Sequence, residues 1–402
     1  MSVVRLRLAV IGDPHLGVAR GDVDDRLEVD PGRKLHSLSR ELLEQTIREI
    51  NARGDVDATL VLGDITRDSE LFNHEIAREV LAALEMPFYL VAGNHDLVRE
   101  RSKGVSYPDE PYLDRDGFIE HYRGAGLPGD TTRYAVELTG GVVLVVLDSN
   151  RTLAELRMNS DPISRQDHGF VDMQQRRWLD SVLRNVRSMG RIPIVAMHHS
   201  VTDHSPAEVK DHPLHRFFGY WKAHGARKLR RVLAANQVPL VLSGHIHAQS
   251  INTQEGVTNL VTAAAVSYPH AWRLLTLDSD EIHVESFPLA SIPSCPNLQE
   301  RSREWLNEGM GALIEQYSTK NKLMRNLTGT INGFVSSTGW WPRFCDGTLA
   351  GFTVDEGLIP KVNPVTSMVY KRIAGLLNDY GTWKQERPDP NKLSLPIDRE
   401  LP

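Results

Sequence analysis

Cysteine is nearly absent. The 402 residues contain two, Cys295 and Cys345, distant from one another and in no Cys-x-x-Cys pair. That count argues against a disulfide scaffold or a zinc ribbon, and two reduced thiols in an intracellular protein are expected. Long hydrophobic runs are also missing. No stretch approaches the roughly 20 apolar residues of a spanning helix, and Met1 to Val10 lacks the apolar core of a signal peptide. A soluble, cytoplasmic protein is the expectation. Nor is there a basic excess: 46 Lys plus Arg face 52 Asp plus Glu, a net charge of −6. Nucleic acid is therefore not expected as a partner. Hydrophobic residues at 41% and charged residues at 24% suffice for a sizeable core and argue against wholesale disorder. No internal repeat or low-complexity segment occurs. At roughly 150 residues per domain, the length fits two or three domains or one large domain with additions.

Histidine, by contrast, is abundant, with 16 residues, and its placement decides what that means. Through the first 290 residues, strand-like and helix-like segments alternate. Arg5–Ile11, Ala58–Leu62, Phe88–Ala92, Val142–Leu147, Ile192–Met197 and Pro239–Leu242 are apolar runs. Between them, Leu42, Leu43, Ile47 and Ile50, then Ile76, Val80 and Leu84, then Leu179, Val182, Leu183 and Val186 recur at helical spacing. Continuous apolar strands separated by helices predict a sheet covered on both faces. Val257–Val261, Arg273–Leu277 and Ile282–Phe287 predict consecutive strands of a second, largely antiparallel sheet. The two prolines in Ser291–Pro296 mark a boundary, dividing a catalytic domain, 1–290, from a C-terminal extension, 291–402. In the extension, Leu306, Met310, Leu313, Ile314 and Tyr317 predict one amphipathic helix, and Val369, Ile373, Leu376, Leu377 and Tyr380 another. Trp340-Trp341 reads as buried core, with a protein–protein anchor as the alternative. The last dozen residues, Pro-rich and polar, are expected to be extended or disordered.

The polar residues fall where these strands end, which is where ligands sit in open α/β sheets. Asp13 and His15 follow the first strand, Gly63-Asp64 the second, and Gly93-Asn94-His95-Asp96 the third. His198 and His199 follow the strand ending at Met197, and Gly244-His245-Ile246-His247 the one ending at Ser243. Singly, each block is weak evidence, because Gly-Asp suits turns and caps and a histidine pair is commonly structural. Their conjunction, in order and all at strand ends, is not explained by structure alone. Aspartate, imidazole and one amide oxygen form a mixed donor set without thiolate. It is too large for a single tetrahedral zinc. Asp64 could bridge two ions about 3.5–4 Å apart, as in two-metal hydrolases. A dinuclear site follows, with Mn, Fe, Zn and Co all open.

Asp-x-His, Gly-Asp, Gly-Asn-His-Asp, His and Gly-His-x-His, in this order, resemble the motif series of the calcineurin-like metallophosphoesterase superfamily. The resemblance covers about residues 5 to 290. It implies a double β-sandwich flanked by helices (α/β/β/α), here followed by a mainly helical extension. It also implies two divalent or mixed-valence metal ions and hydrolysis of a phosphoric ester by a metal-bridging hydroxide. By matching position, Asp13, His15, Asp64 and His247 would hold one ion. Asp64, Asn94, His198 and His245 would hold the other, with His198 preferred over His199 because it follows the strand directly. His95 would be the catalytic histidine, and Asp96 would orient it as an acceptor behind the ring.

Asp96 sets the chain apart from the Ser/Thr protein phosphatases, which carry Glu there. His95 sets it apart from the lipid A precursor hydrolases, which carry Arg. Met197-His198-His199, the segment Gly169 to Leu179 with Gln174 and Trp178, and Asp148-Ser149 resemble the class III cyclic-nucleotide phosphodiesterase branch. Ser200 departs from that branch, where proline is common. The expected substrate is thus a small phosphodiester, with a cyclic nucleotide in view. A phosphomonoesterase or nucleotidase on the same site is the alternative. Asp13-Pro14-His15-Leu16-Gly17 also resembles the opening block of double-strand-break repair nucleases, and a non-enzymatic interaction module is a further rival. Around the site, Arg20, Arg26, Arg33 and Lys34 are candidates for phosphate binding or a solvated charge run. The stretch 200–225, with His204, His212, His215, His224, Phe217, Phe218, Tyr220 and Trp221, reads as a substrate-covering loop or a surface excursion. The extension could pack on the core, lid the site or form a homo-oligomer, with packing as the default.

Overall fold

The computed structural model describes residues 5–18, 34–97, 110–150, 169–208, 222–318, 333–360 and 364–397. The arginines of the 18–33 insert and the aromatic patch at 217–221 lie outside these residues. So do the side chains of Met310, Leu313, Ile314, Tyr317 and Val369.

Two six-stranded sheets carry the structure. In the first, β1 (Leu6–Ile11), β2 (Ala58–Val61) and β3 (Phe88–Leu90) run parallel, with Leu8 opposite Ala58 and Thr59 opposite Phe88. Beyond β1 the sheet continues antiparallel through β10 (Ala271–Leu277), β11 (Glu281–Pro288) and β12 (Lys392–Pro396). The second has the order β4 (Tyr134–Glu137), β5 (Val142–Val146), β6 (Ile192–Ala196), β7 (Val241–Ser243), β9 (Val257–Val261) and β8 (Ser250–Gln254). Here β5, β6, β7 and β9 are parallel.

Alternation along the strands explains the layers. Leu144, Ile194 and Leu242 point inward and share one core with Leu8, Val10 and Leu60 of the first sheet. Val143, Val145, Val195 and Val241 point to the other face, because successive side chains of a strand alternate. There they pack on Leu179, Leu183 and Val186 of α4 (Met173–Ser188) and on Leu229 and Leu233 of α5 (Ala226–Ala235). The first sheet is covered by α1 (Ser39–Arg53), through Leu42, Leu43, Ile47 and Ile50, and by α2 (Leu71–Leu81), through Ala77, Val80 and Leu81, while α3 (Arg115–Tyr122) adds Phe118 and Tyr122 to the same core. Helix α1 stops at Gly54, which takes the left-handed φ of 66° that favours glycine at a helix end. Helix α4 starts at Asp172, whose carboxylate accepts the Gln175 N–H at 2.6 Å. This is the double β-sandwich flanked by helices.

Two expectations are corrected. Val257–Val261 does not share a sheet with Arg273–Leu277 and Ile282–Phe287. It lies beside β7, while β10 and β11 extend the first sheet. Both sheets needed edge strands, and hydropathy alone does not name the partner. The chain near the C-terminus is not merely extended either. Leu393 and Leu395 pair with Val284 and Ile282, so the extension supplies β12 to the first sheet. The predicted helices of the extension are α6 (Leu298–Ser318) and α8 (Pro364–Gln385), joined by a short α7 (Trp340–Asp346). Trp340 and Trp341 are buried there with Phe344, Tyr370, Leu377 and Tyr380. They share that core with Ile246 and Ala248 of the β-sandwich.

Candidate metal centre

The carboxyl ends of β1, β2 and β3 in one sheet and of β6 and β7 in the other meet at one edge of the sandwich. The turns after them are sharply bent. Among the described residues, nine non-glycine positions have positive φ, and five of them are Asp13, His15, Asp64, His245 and His247. Such strain persists where surrounding structure enforces it, and it gathers at functional sites. Glycines let the turns approach. A Cβ on Gly93 would sit 2.1 Å from the Asp64 main-chain nitrogen, and one on Gly244 would sit 2.3 Å from Asp13 Oδ2.

Asp13, His15, Asp64 and His247 place one donor atom each within 4.8 Å of one another. His15 Nε2 lies 3.0 Å from His247 Nε2 and 3.4 Å from Asp64 Oδ2. His198, His199 and His245 form a second such group. His198 Nε2 is 3.3 Å from Asp64 Oδ2 and 3.0 Å from Asn94 Oδ1. Asp64 Oδ2 thus stands between the two groups, while Asp64 Oδ1 accepts the His95 N–H at 2.8 Å. His198 is held in place by its other nitrogen, Nδ1, which lies 2.8 Å from the Leu62 carbonyl oxygen. That arrangement is typical of ligating imidazoles. Of the His198-His199 doublet, His198 faces Asp64 and Asn94, whereas His199 Nδ1 faces Ser149 Oγ at 2.8 Å.

The electrostatics suit cations. Asp13 and Asp64 are buried with His15 and His198. Burial, with the Asp64 charge, pushes Asp13 up to about 7. Burial also opposes the Asp64 charge, but His198, His95 and His15 hold that carboxyl well below its ordinary range. Burial disfavours a charged His198, yet Asp64 and Asp13 raise it to about 9. Burial and His198 push His245 down to about 3. Two buried carboxylates, one amide oxygen and several imidazole nitrogens aimed at common points form the donor set that borderline divalent metals take. Lys34, whose Nζ is 3.5 Å from His15 Nδ1, adds a buried positive charge at one side.

His95 sits above this floor, its side chain 29% exposed while those of His15 and Asp13 are fully buried, so it borders the opening. Its ring lies 4.8 Å from that of His15. The expectation that Asp96 orients it is not met. Asp96 Oδ1 accepts the N–H groups of Ile65 and Thr66 at 2.7 and 3.1 Å, and Oδ2 accepts that of Gly93 at 2.8 Å. It ties the β2 and β3 turns together. The ring of His95 instead donates from Nδ1 to the Arg67 carbonyl at 2.6 Å, with Asp68 Oδ1 3.4 Å away. Asp68 was not singled out from the sequence, and its one signal there is a carboxylate four residues after Asp64. The segment Gly169 to Leu179 also acts through a different residue. Gln175, not Gln174, clamps Asp148, accepting its N–H and donating to its carbonyl, both at 2.8 Å.

A probable cyclic nucleotide phosphodiesterase from Psychrobacter sp. (strain PRwf-1) is 26% identical over 203 residues, 50% of this chain. The match spans 49% of that relative's length. A dimetal phosphatase from Danio rerio superposes with a TM-score of 0.53 at 17% identity, over 71% of this chain and 96% of its own. A purple acid phosphatase from yellow lupin gives 0.45 at 14% identity, over 72% and 52%. The model of the calcineurin-like phosphoesterases matches residues 6–249. Because that match takes in more than half of the chain and all seven candidate ligands, the chain belongs to the calcineurin-like phosphoesterase family.

Proposed function

We propose that the chain hydrolyses a small phosphodiester, with cyclic nucleotides as the first class to examine. The observation that carries the reading is Asp64 Oδ2, 3.4 Å from His15 Nε2 and 3.3 Å from His198 Nε2, between two groups of candidate ligands. Asp13, His15, Asp64 and His247 would hold one ion, and Asp64, Asn94, His198 and His245 the other. When bound, two such ions supply an activated water nucleophile and neutralise charge on the phosphate oxygens.

The chain's own residues do the rest. With Nδ1 committed to the Arg67 carbonyl, the proton that His95 can give to a departing alkoxide is the one on Nε2. Asp68 lies within ion-pair distance of the same ring and favours its protonated form. Asp64, by accepting the His95 N–H, fixes the backbone that carries this acid beside the ligands. The diester preference is supported by the Psychrobacter relative's name and by the His198-His199 doublet.

The test is hydrolysis of bis-p-nitrophenyl phosphate against p-nitrophenyl phosphate, after metal stripping and separate refilling with Mn, Fe, Zn and Co. Metal-dependent preference for the diester is expected and would justify a panel of cyclic nucleotides. Preference for the monoester would replace the reading with a phosphatase or nucleotidase.

A further inference from the structure

Away from the metal centre, a cavity of about 400 Å³ opens on the seam between the extension and the catalytic sandwich. Its walls include Ile251 of β8, Gly347 and Thr348 after α7, and Lys384, Arg387 and Asp389 at the end of α8. None of these is a candidate ligand of the metal centre. The volume lies within the usual range of small-ligand sites, roughly 300–1,000 Å³.

The charge in this cavity is not balanced locally. Lys384 is 6% exposed, and its Nζ donates to Ser250 Oγ, a neutral partner. Arg387 donates from Nε to Asn252 Oδ1 at 3.0 Å, bonds the Trp383 carbonyl, and stacks with its Cζ 3.3 Å from the Trp383 ring centroid. These partners are neutral too. Among the described residues, neither cation reaches a carboxylate at salt-bridge distance. A buried ammonium whose hydrogen-bond partner is neutral is costly, and the cost shows. Burial and the Arg387 charge push Lys384 down to about 7, with Glu208 opposing.

The layer behind the wall holds unpaired donors and one unpaired acceptor, Glu208 Oε1. Gly347 backs onto Gln249, whose carbonyl would lie 2.8 Å from a Cβ placed there. Gln249 accepts from the fully buried Arg273, and both Gln249 Nε2 and Arg273 Nη1 are buried without a hydrogen-bond partner. Asp389 lines the cavity and is the carboxylate felt by Arg273. Asp203 and Glu208 lie further back. Asp203 is engaged by Lys222 and Gln254, while Glu208 accepts the His204 N–H. Lys384 and Arg387 thus face the cavity with neutral hydrogen-bond partners, against one lining carboxylate, Asp389, while Glu208, Glu386 and Asp203 act on them only at longer range.

We propose that this cavity is a second binding site, for a phosphorylated small molecule whose phosphate is held by Lys384 and Arg387. Phosphate suits it because Arg offers a planar fork and Lys a point charge, the pair that commonly recognises phosphate oxygens.

The experiment is calorimetric titration of the metal-loaded full chain with ribose 5-phosphate and with inorganic phosphate, using citrate as a polyanion without phosphate. The Asp64→Asn chain separates this site from the metal centre. A binding event that persists in Asp64→Asn, and is weakened at least tenfold in Lys384→Met and in Arg387→Gln, is expected. Turnover of bis-p-nitrophenyl phosphate in the last two variants should stay within twofold of wild type. If Lys384→Met fails to fold by circular dichroism, the half-buried Arg387→Gln decides. Loss of all phosphate binding in Asp64→Asn overturns the proposal, as does undiminished binding in Arg387→Gln. Citrate binding as tight as ribose 5-phosphate overturns the ligand class.

Discussion

Asp68 Oδ1 stands 3.4 Å from His95 Nδ1, while Asp96, the next residue in the chain after His95, turns both carboxylate oxygens onto backbone N–H groups. The group that biases the candidate acid thus comes from the β2 turn, not from the acid's own loop. Asp68→Asn keeps size and removes the charge. Turnover should fall on the order of tenfold, the usual scale for partners that orient an active imidazole. Metal content by elemental analysis should stay at the wild-type value. Unchanged turnover would show that the Arg67 carbonyl alone positions the ring.

Asp96→Ala should act through stability. Three buried N–H groups, of Ile65, Thr66 and Gly93, lose their acceptor. Each such loss costs about 1–3 kcal/mol when water cannot enter. Urea unfolding should show a deficit of several kcal/mol, well above that of Asp68→Ala. Equal stability of the two variants would mean that the turn does not depend on Asp96.

His95→Ala and Asp64→Ala should separate chemistry from metal holding. Removing His95 takes away a proton donor, typically a loss of about 10²–10⁴-fold, with both ions retained. Removing Asp64 takes away the oxygen that both ligand groups approach and should lose metal along with turnover. Full activity in both variants would refute the site assignment.

Much of this was legible in the sequence because strong local signals coincide. The runs before Asp13, Asp64 and Asn94 are continuous and apolar, as buried parallel strands must be, so the ends that carry the ligands are marked by where apolarity stops. What was lost depends on partners distant in sequence. Ser250–Gln254 forms β8, yet its composition, Ser-Ile-Asn-Thr-Gln, carries no strand signal. Its pairing with β9 supplies the order. Leu393 and Leu395 alternate too briefly to mark β12, which exists because β11 offers them an edge. Asp96 was given its role toward His95 by the family resemblance, but neighbours in a tight turn point apart, and the ring meets the turn of another strand.

The extension is tied to the sandwich by a histidine that must stay neutral, which gives the last prediction. His270 is fully buried. Its Nδ1 lies 2.9 Å from the Ala265 carbonyl oxygen and its Nε2 lies 2.6 Å from Ser302 Oγ on α6. Burial pushes it down to about 4 from an ordinary 6.5. Between those values the unfolded chain binds a proton that the folded chain refuses, so stability falls as the pH drops from about 6.5 toward 4. At pH 5 the deficit from this residue should be about 2 kcal/mol. His270→Gln can still donate to one partner and accept from the other, without titrating. Urea unfolding at pH 7 and pH 5 should show a smaller acid-induced loss in His270→Gln than in wild type, by about that amount. Some loss should remain, because His74 is also buried and pushed down to about 3. Identical pH dependence in the two chains would mean that His270 is protonated within the fold, or that the contact with α6 opens before the rest unfolds.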